Sequence, residues 1–186
     1  MGIRTNAPQP SLVMDLPRGR LSAGEHADRL LALPAAWIGE LLECLPDGLD
    51  AFADRLVAPI AADVTEVLDD PHASVPEDVA YAISLAFARR GLGVVAFERW
   101  GDALLFIWRS PPSSAQGFRE FAARLASRLV GELLGLRVRG VTLSGDSSAL
   151  RVLLASPETC QEVRSLGVEG VTPEALLQML TPEEAA

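Results

Sequence analysis

The sequence predicts an α+β domain in which an antiparallel four-stranded sheet, built from two hairpins, packs against helices. Apolar residues recur at three- and four-residue steps over 49–68, 74–90 and 115–134, the spacing of helices with one buried face. The spacing changes to alternate residues over 93–109 and 137–155, and each of these stretches contains a turn. This order of elements favours an antiparallel sheet covered by helices: helices, a hairpin, one helix, a second hairpin and further helices.

The N-terminal part predicts a flexible tail followed by helix. Prolines interrupt residues 1–20, so no regular element is expected there. Ser22 and Glu25 have the spacing of a capping box, which predicts a helix from Ser22 to about Leu33. A second helix is expected to open at Pro34 and to end near residues 46–48.

Two short helices are predicted at the C-terminal end, one from Ser156 and one from Thr172. Each start has a capping hydroxyl, then proline, then an acidic residue. The predicted organisation is therefore a tail at 1–20, one domain at 21–156 and a helical extension at 157–186.

The predicted strand Ala103–Arg109 is apolar on both of its faces. Its alternate residues are Leu104, Phe106 and Trp108 on one side and Leu105 and Ile107 on the other. Such a strand is buried on both faces or lies at an oligomer interface.

Composition excludes several classes of function. The net charge of −9 argues against nucleic-acid binding. All 16 basic residues are arginine, which excludes chemistry that requires a lysine, such as a Schiff base.

No apolar run approaches the roughly 20 residues that span a bilayer, and no secretion signal opens the chain. We therefore expect a cytoplasmic protein without a membrane span.

The residues that most often catalyse reactions or bind metals are few and scattered. His26, His72, Cys44 and Cys160 are far apart in sequence, so we expect no metal, no cofactor and no catalytic residue. Cys44 is expected in the core of a helix face, and Cys160 is expected to be partly exposed. The carboxylate pair Asp63 and Glu66 leaves acid–base catalysis open as an alternative to a solvated helix face.

Arginines are enriched between Phe118 and Arg151 and define a candidate partner surface. Arginine is favoured at protein interfaces, so this positive stretch of an acidic chain is interpreted as a docking surface for an acidic partner or for the chain's own acidic parts. The alternative is a solvated face. The residues of this candidate surface are Arg119, Arg124, Arg128, Arg137 and Arg139.

Aromatic residues on the predicted apolar faces define a second candidate site. A cavity between the helices and the first hairpin would suit a small hydrophobic ligand, whereas an ordinary core would leave no such space. The candidate residues are Phe52, Phe87, Phe106, Trp108 and Phe121.

The stretch from Leu49 to Ala155 carries three short motifs in a familiar order. These are Gly91-Leu92-Gly93 before the first hairpin, the sequence GELLG at 131–135 and the turn Gly145-Asp146. With them the stretch resembles the V4R (4-vinyl reductase) domain, whose fold is shared with the TRAPP vesicle-tethering subunits. The resemblance implies a sheet with helices on one side, usually a dimer, and in some relatives a pocket for small hydrophobic molecules.

The resemblance does not extend to a metal site. Many 4-vinyl reductase domains carry zinc-binding cysteines around the last hairpin, and residues 137–155 contain neither cysteine nor histidine. The order of elements is also similar to that of the cellulose synthase D family, whose members are non-enzymatic, ring-forming accessories of an export complex.

Together these features predict a non-enzymatic binding or adaptor domain. It is expected to form a homodimer or higher oligomer, to contact a protein partner and to hold a small apolar ligand, without nucleic acid. The alternative is a structural accessory component of a larger assembly such as a cellulose-synthase or export complex.

Overall fold

The computed structural model describes residues 12–15, 20–23, 29–30, 35–145, 148–168 and 175. Within these ranges the helices are α1 (Ala35–Cys44), α2 (Leu49–Val67), α3 (Pro76–Arg89), α4 (Gln116–Leu134) and α5 (Pro157–Val168). The strands are β1 (Leu12–Asp15), β2 (Arg20–Ala23), β3 (Arg29–Leu30), β4 (Val94–Trp100), β5 (Ala103–Arg109), β6 (Arg139–Gly145) and β7 (Ala149–Ala155).

The four-stranded antiparallel sheet is confirmed. Its strand order is β4-β5-β7-β6, so the two hairpins meet at β5 and β7 and leave β4 and β6 as the edge strands. Phe106 lies opposite Phe97 on one side and Val152 on the other. The register between β6 and β7 shifts between Thr142 and Ser144, which is a bulge in the edge strand.

Helices lie on both faces of this sheet, with α5 over β6 and β7 on the second face. One face, represented by Phe106, Trp108 and Val152, forms the main core with α2, α3 and α4. The opposite face packs against α5, where Cys160 and Val163 contact a smaller apolar cluster of β6 and β7. The one-sided arrangement that the resemblance implied therefore differs from the structure, because α5 folds back over the second face.

Strand β5 is buried on both faces, as its sequence predicted. The exposed fractions are 2% for Leu105, 0% for Phe106, 7% for Ile107 and 0% for Trp108. Burial of both apolar faces stabilises the strand, because it removes apolar surface from water on both sides of the sheet.

The helix ends also follow the sequence. Gly91 after α3 and Gly135 after α4 have φ of 68° and 65°, the left-handed conformation that glycine adopts without steric cost. Trp108 Nε1 donates a hydrogen bond to the Leu92 carbonyl oxygen, which fixes the connection from α3 into β4.

The helix expected from Pro34 is confirmed as α1, but the N-terminal prediction is wrong for the preceding tail and first helix, where the described residues form strands. Strands β1, β2 and β3 form a separate three-stranded antiparallel sheet, in which Leu21 lies opposite Leu30. Strand β1 lies within residues 1–20, where no regular element was expected, and β2 and β3 replace the helix predicted from Ser22. A capping-box spacing is a local signal, and strand pairing overrides it here. The helix predicted from Thr172 falls outside the described residues, apart from Ala175.

Candidate functional site

A groove runs between helix α4 and the edge strand β6. Its volume is about 890 Å³. One wall is a single face of α4, from Gln116 to Arg128, and the other wall is residues 138–143. Asp50 of α2 and Arg164 of α5 also line it, so three helices and one strand contribute.

Two residues of β6 hold this strand close to α4. Gly140 has no side chain, and an added Cβ would overlap the carbonyl oxygen of Ala123 in α4. The Thr142 hydroxyl donates to the Arg119 carbonyl oxygen at 2.9 Å. The helix therefore lies directly beside the edge of the sheet, and its polar face and the edge strand form one groove.

The groove is positively charged, although the whole chain is acidic. Five arginines line it, against the two carboxylates Asp50 and Glu120. The arginines are Arg119, Arg124, Arg128, Arg139 and Arg164. A concentration of one charge in a concave surface raises the local concentration of oppositely charged ligands.

Ion pairs between α2 and α4 occupy one part of the groove. Arg128 donates to Asp50 Oδ1 at 2.9 Å through Nη2 and pairs with Asp54 through Nη1. Arg124 lies 3.5 Å from Asp50 and 3.7 Å from Glu120, measured between the charged atoms. The hydrogen bond from Arg128 lowers the pKa of Asp50, and the same bond raises the pKa of Arg128.

The other part of the groove presents arginines without a carboxylate partner among the described residues. Arg139 is exposed and makes no ion pair in those ranges. Arg164 Nη2 donates to the Gly140 carbonyl oxygen at 3.2 Å. A carboxylate is a stronger acceptor for a guanidinium than a neutral carbonyl, because it adds an opposite charge and can accept two parallel hydrogen bonds.

Four of the five arginines of the candidate surface line the groove. The fifth, Arg137, is exposed between α4 and β6 and is not among the lining residues. Sequence reasoning missed Arg164 and Asp50. Neither carried a local signal, since each joins the groove only through the packing of α5 and α2.

The aromatic candidates lie mostly in the core. Phe87, Phe106, Trp108 and Phe121 are at most 1% exposed, and the Phe87 ring centre lies 5.0 Å from that of Trp108 and 6.0 Å from that of Phe106. Phe52 is 44% exposed, so its expected position on a buried face is wrong; its ring contacts Phe121 at 5.2 Å between centres. None of these five lines the groove.

The expected environments of the two cysteines are both wrong. Cys44 is exposed, and Cys160 is fully buried. Burial raises the pKa of the Cys160 thiol, whose Sγ donates to the Arg139 carbonyl oxygen at 3.2 Å. Cys160 is buried because it lies on the side of α5 that packs against the sheet, a packing that the hairpin sequences alone do not show.

An exposed apolar stripe, defined by Trp37, Leu41 and Leu45, lies along helix α1 and the residue that follows it. These side chains recur every four residues and are 52%, 51% and 58% exposed. Trp37 therefore points outward from the helix. On the inner side of α1, Leu42 is buried, with 5% of its surface exposed.

The remaining reactive candidates do not gather in one place. Asp63 accepts hydrogen bonds from Arg90 at 2.8–2.9 Å, an ion pair between α2 and the end of α3. The His72 backbone N–H donates to Asp70, and His26 lies outside the described residues.

No group of three or more metal-ligating residues occurs in the ranges that the structure describes. Among the helices of those ranges, none combines the length and the apolar composition that a membrane span requires.

Comparison with protein-family models gives no match for this chain, and comparison with curated proteins gives none either.

Proposed function

We propose that this protein is a non-enzymatic binding module whose arginine-lined groove holds an acidic segment of a partner protein. The observation that supports the proposal is that arginines from two helices and one strand converge on a single groove. Guanidinium groups bind carboxylates through paired hydrogen bonds, which gives orientation as well as attraction.

The dimensions of the groove suit a short peptide segment. From Gln116 to Arg128 the wall spans about 18 Å, at 1.5 Å of rise for each helical residue. An extended chain covers that length with five to six residues, at roughly 3.3 Å each. An acidic segment of this length carries two or three side chains on each of its faces, enough to meet Arg139 and Arg164.

Binding of a fluorescein-labelled decaglutamate peptide, followed by fluorescence anisotropy, tests this proposal. The wild type should bind, and the double variant Arg139→Gln, Arg164→Gln should bind at least about fivefold more weakly, from the loss of two ion pairs. Arg55→Gln is the matched control, because Arg55 is an exposed arginine of α2 outside the groove. Equal affinity of the double variant and the control would contradict the proposal.

Self-association is a second candidate function, supported by the apolar stripe of α1. Exposed apolar side chains in a row are typical of surfaces that bind other proteins, and a second copy supplies the same stripe. A protein with one surface for its own copies and another for a partner fits an accessory role in a larger assembly. Native mass spectrometry should show an oligomer that Leu41→Glu dissociates and Tyr81→Glu, an exposed residue of α3, leaves intact.

The small apolar ligand stays a prediction. The same native mass spectra, compared with spectra under denaturing conditions, would reveal it as a mass excess that disappears on unfolding.

A further inference from the structure

The outer edge of strand β6 forms part of the groove wall. Among the described residues, β6 is the last strand of the sheet, and residues 138–143 line the groove. Edge strands carry unpaired backbone N–H and C=O groups on alternate residues. Which residues of β6 direct these groups outward follows from the hydrogen bonds of the neighbouring strands.

A bond at the start of β7 fixes this alternation. The Ser110 N–H donates to the Ser148 carbonyl oxygen at 2.9 Å, so residue 148 directs its backbone groups toward β5. Residues 150, 152 and 154 then do the same, while 151, 153 and 155 face β6. Gly140 and Thr142, which lie opposite Leu154 and Val152, therefore direct their N–H and C=O groups away from β7 and toward the groove.

The side chain of Arg164 supports this assignment independently. Its Nη2 donates to the Gly140 carbonyl oxygen from α5, whereas a carbonyl directed toward β7 would accept a hydrogen bond from that strand. The bulge lies between Thr142 and Ser144, so the alternation is regular through Thr142. In the described part of the chain, no residue beyond the sheet accepts a hydrogen bond from the Thr142 N–H.

We infer that the acidic partner segment binds as an additional β-strand, paired with the edge of β6 at Gly140 and Thr142. This inference rests on the proposed function and specifies the binding mode. The backbone of β6 supplies hydrogen bonds that do not depend on the ligand's sequence, and the flanking arginines select acidic side chains. Arg119 and Arg124 of α4 flank one face of the added strand, and Arg164 of α5 flanks the other.

Charge distinguishes this occupant from a second copy of the chain. Pairing two β6 edges across a twofold axis would bring two sets of groove arginines together, and like charges at an interface oppose association. An acidic extended segment brings the opposite charge to the same positions. The Arg164 guanidinium would exchange the Gly140 carbonyl for a ligand carboxylate, which frees that carbonyl for a ligand N–H.

Backbone methylation of a peptide tests strand addition at constant charge. Three fluorescein-labelled heptapeptides of alternating glutamate and valine are compared: unmethylated, N-methylated on alternate residues, and N-methylated on every residue. A strand added to β6 uses only one of its own edges. Alternate methylation leaves one edge intact and should change the affinity less than about twofold, whereas full methylation removes two or more hydrogen bonds and should weaken binding at least about fivefold.

The outcomes separate this inference from the proposed function. If the fully methylated peptide binds as well as the unmethylated one, strand addition is wrong while the groove remains a site for acidic segments. If decaglutamate and the unmethylated heptapeptide both fail to bind, the proposed function and the strand addition are both wrong.

A pair of variants tests the same contact from the protein side. Thr142→Pro removes the outward N–H at an edge position, where proline is tolerated, and Thr142→Val keeps that N–H while removing the hydroxyl bond to Arg119. Thr142→Val should bind the unmethylated peptide within about twofold of wild type, and Thr142→Pro at least about threefold more weakly. Equal binding by two folded variants would overturn the inference, and the methylated peptides decide it if Thr142→Pro does not fold.

Discussion

Gly140 lies so close to Ala123 that a methyl group on Gly140 would overlap the Ala123 carbonyl oxygen. This approach places β6 against the polar face of α4. The groove forms because the edge strand β6 lies directly beside the face of α4 that carries the arginines. The two residues are 17 positions apart in sequence, and nothing in either segment alone indicates that they meet.

Replacing Gly140 should therefore destabilise the fold. Gly140→Ala is expected to lower the free energy of unfolding by about 1–3 kcal/mol, because either the strand or the helix must move. Chemical denaturation measures this loss. Gly131→Ala in α4 is the control: its nearest outside atom lies 3.4 Å away, and the change should stay within about 1 kcal/mol of wild type. Equal losses in the two variants would show that the contact is not tight.

Asp50 forms ion pairs with Arg124 and Arg128, so under the proposed function it competes with acidic ligands for these two arginines. Asp50→Asn should raise the affinity for decaglutamate about two- to fivefold, since one exposed ion pair is worth up to about 1 kcal/mol. Fluorescence anisotropy measures the change. Asp47→Asn, which removes an exposed carboxylate outside the groove lining, should leave the affinity unchanged. Lower affinity in Asp50→Asn would mean that Asp50 positions the arginines instead of competing for them.

The same carboxylate gives stability a defined pH dependence. The hydrogen bond from Arg128 lowers the pKa of Asp50 in the folded state, below the ordinary 3.8. A lowered folded-state pKa stabilises the fold above 3.8, and that contribution is lost as the pH falls through the folded-state value. The difference in unfolding free energy between wild type and Asp50→Asn should be constant from neutral pH to about 5 and shrink below 3.8. Because Asp50 is mostly exposed, this difference in unfolding free energy should stay under about 1 kcal/mol. A difference that grows on acidification would contradict the lowered pKa of Asp50.

The two thiols should differ sharply in reactivity. Iodoacetamide is expected to modify Cys44 and to leave Cys160 unmodified in the native protein, because Cys160 is buried and its pKa is raised by burial. Intact-mass measurement should show one added group. Cys44→Ser should abolish this rapid addition, and Cys160→Ser should retain it. Two groups added at equal rates would show that α5 does not cover the sheet as described.

Sequence periodicity was sufficient for the central fold. Helices α2, α3 and α4 and both hairpins fall within two residues of their predicted bounds, because each has a long, regular apolar pattern. The N-terminal strands were missed, since segments of two to four residues have too little pattern to outweigh a capping signal.

The candidate site was only partly predictable. Enrichment in arginine identified Arg119, Arg124, Arg128 and Arg139, yet not the strand edge beside them. The exposures of Cys44 and Cys160 were reversed because the outer side of α1 and the position of α5 depend on tertiary packing. Arg164 was not predicted as a groove residue, because its place there also depends on the packing of α5.

Nuclear magnetic resonance mapping tests the central claim most directly. In a titration of ¹⁵N-labelled protein with the unmethylated glutamate–valine heptapeptide, the largest amide shifts should fall on residues 138–143 and on the groove face of α4. Shifts concentrated on α1 and α3 instead, or a spectrum that does not change at millimolar peptide, would contradict the account.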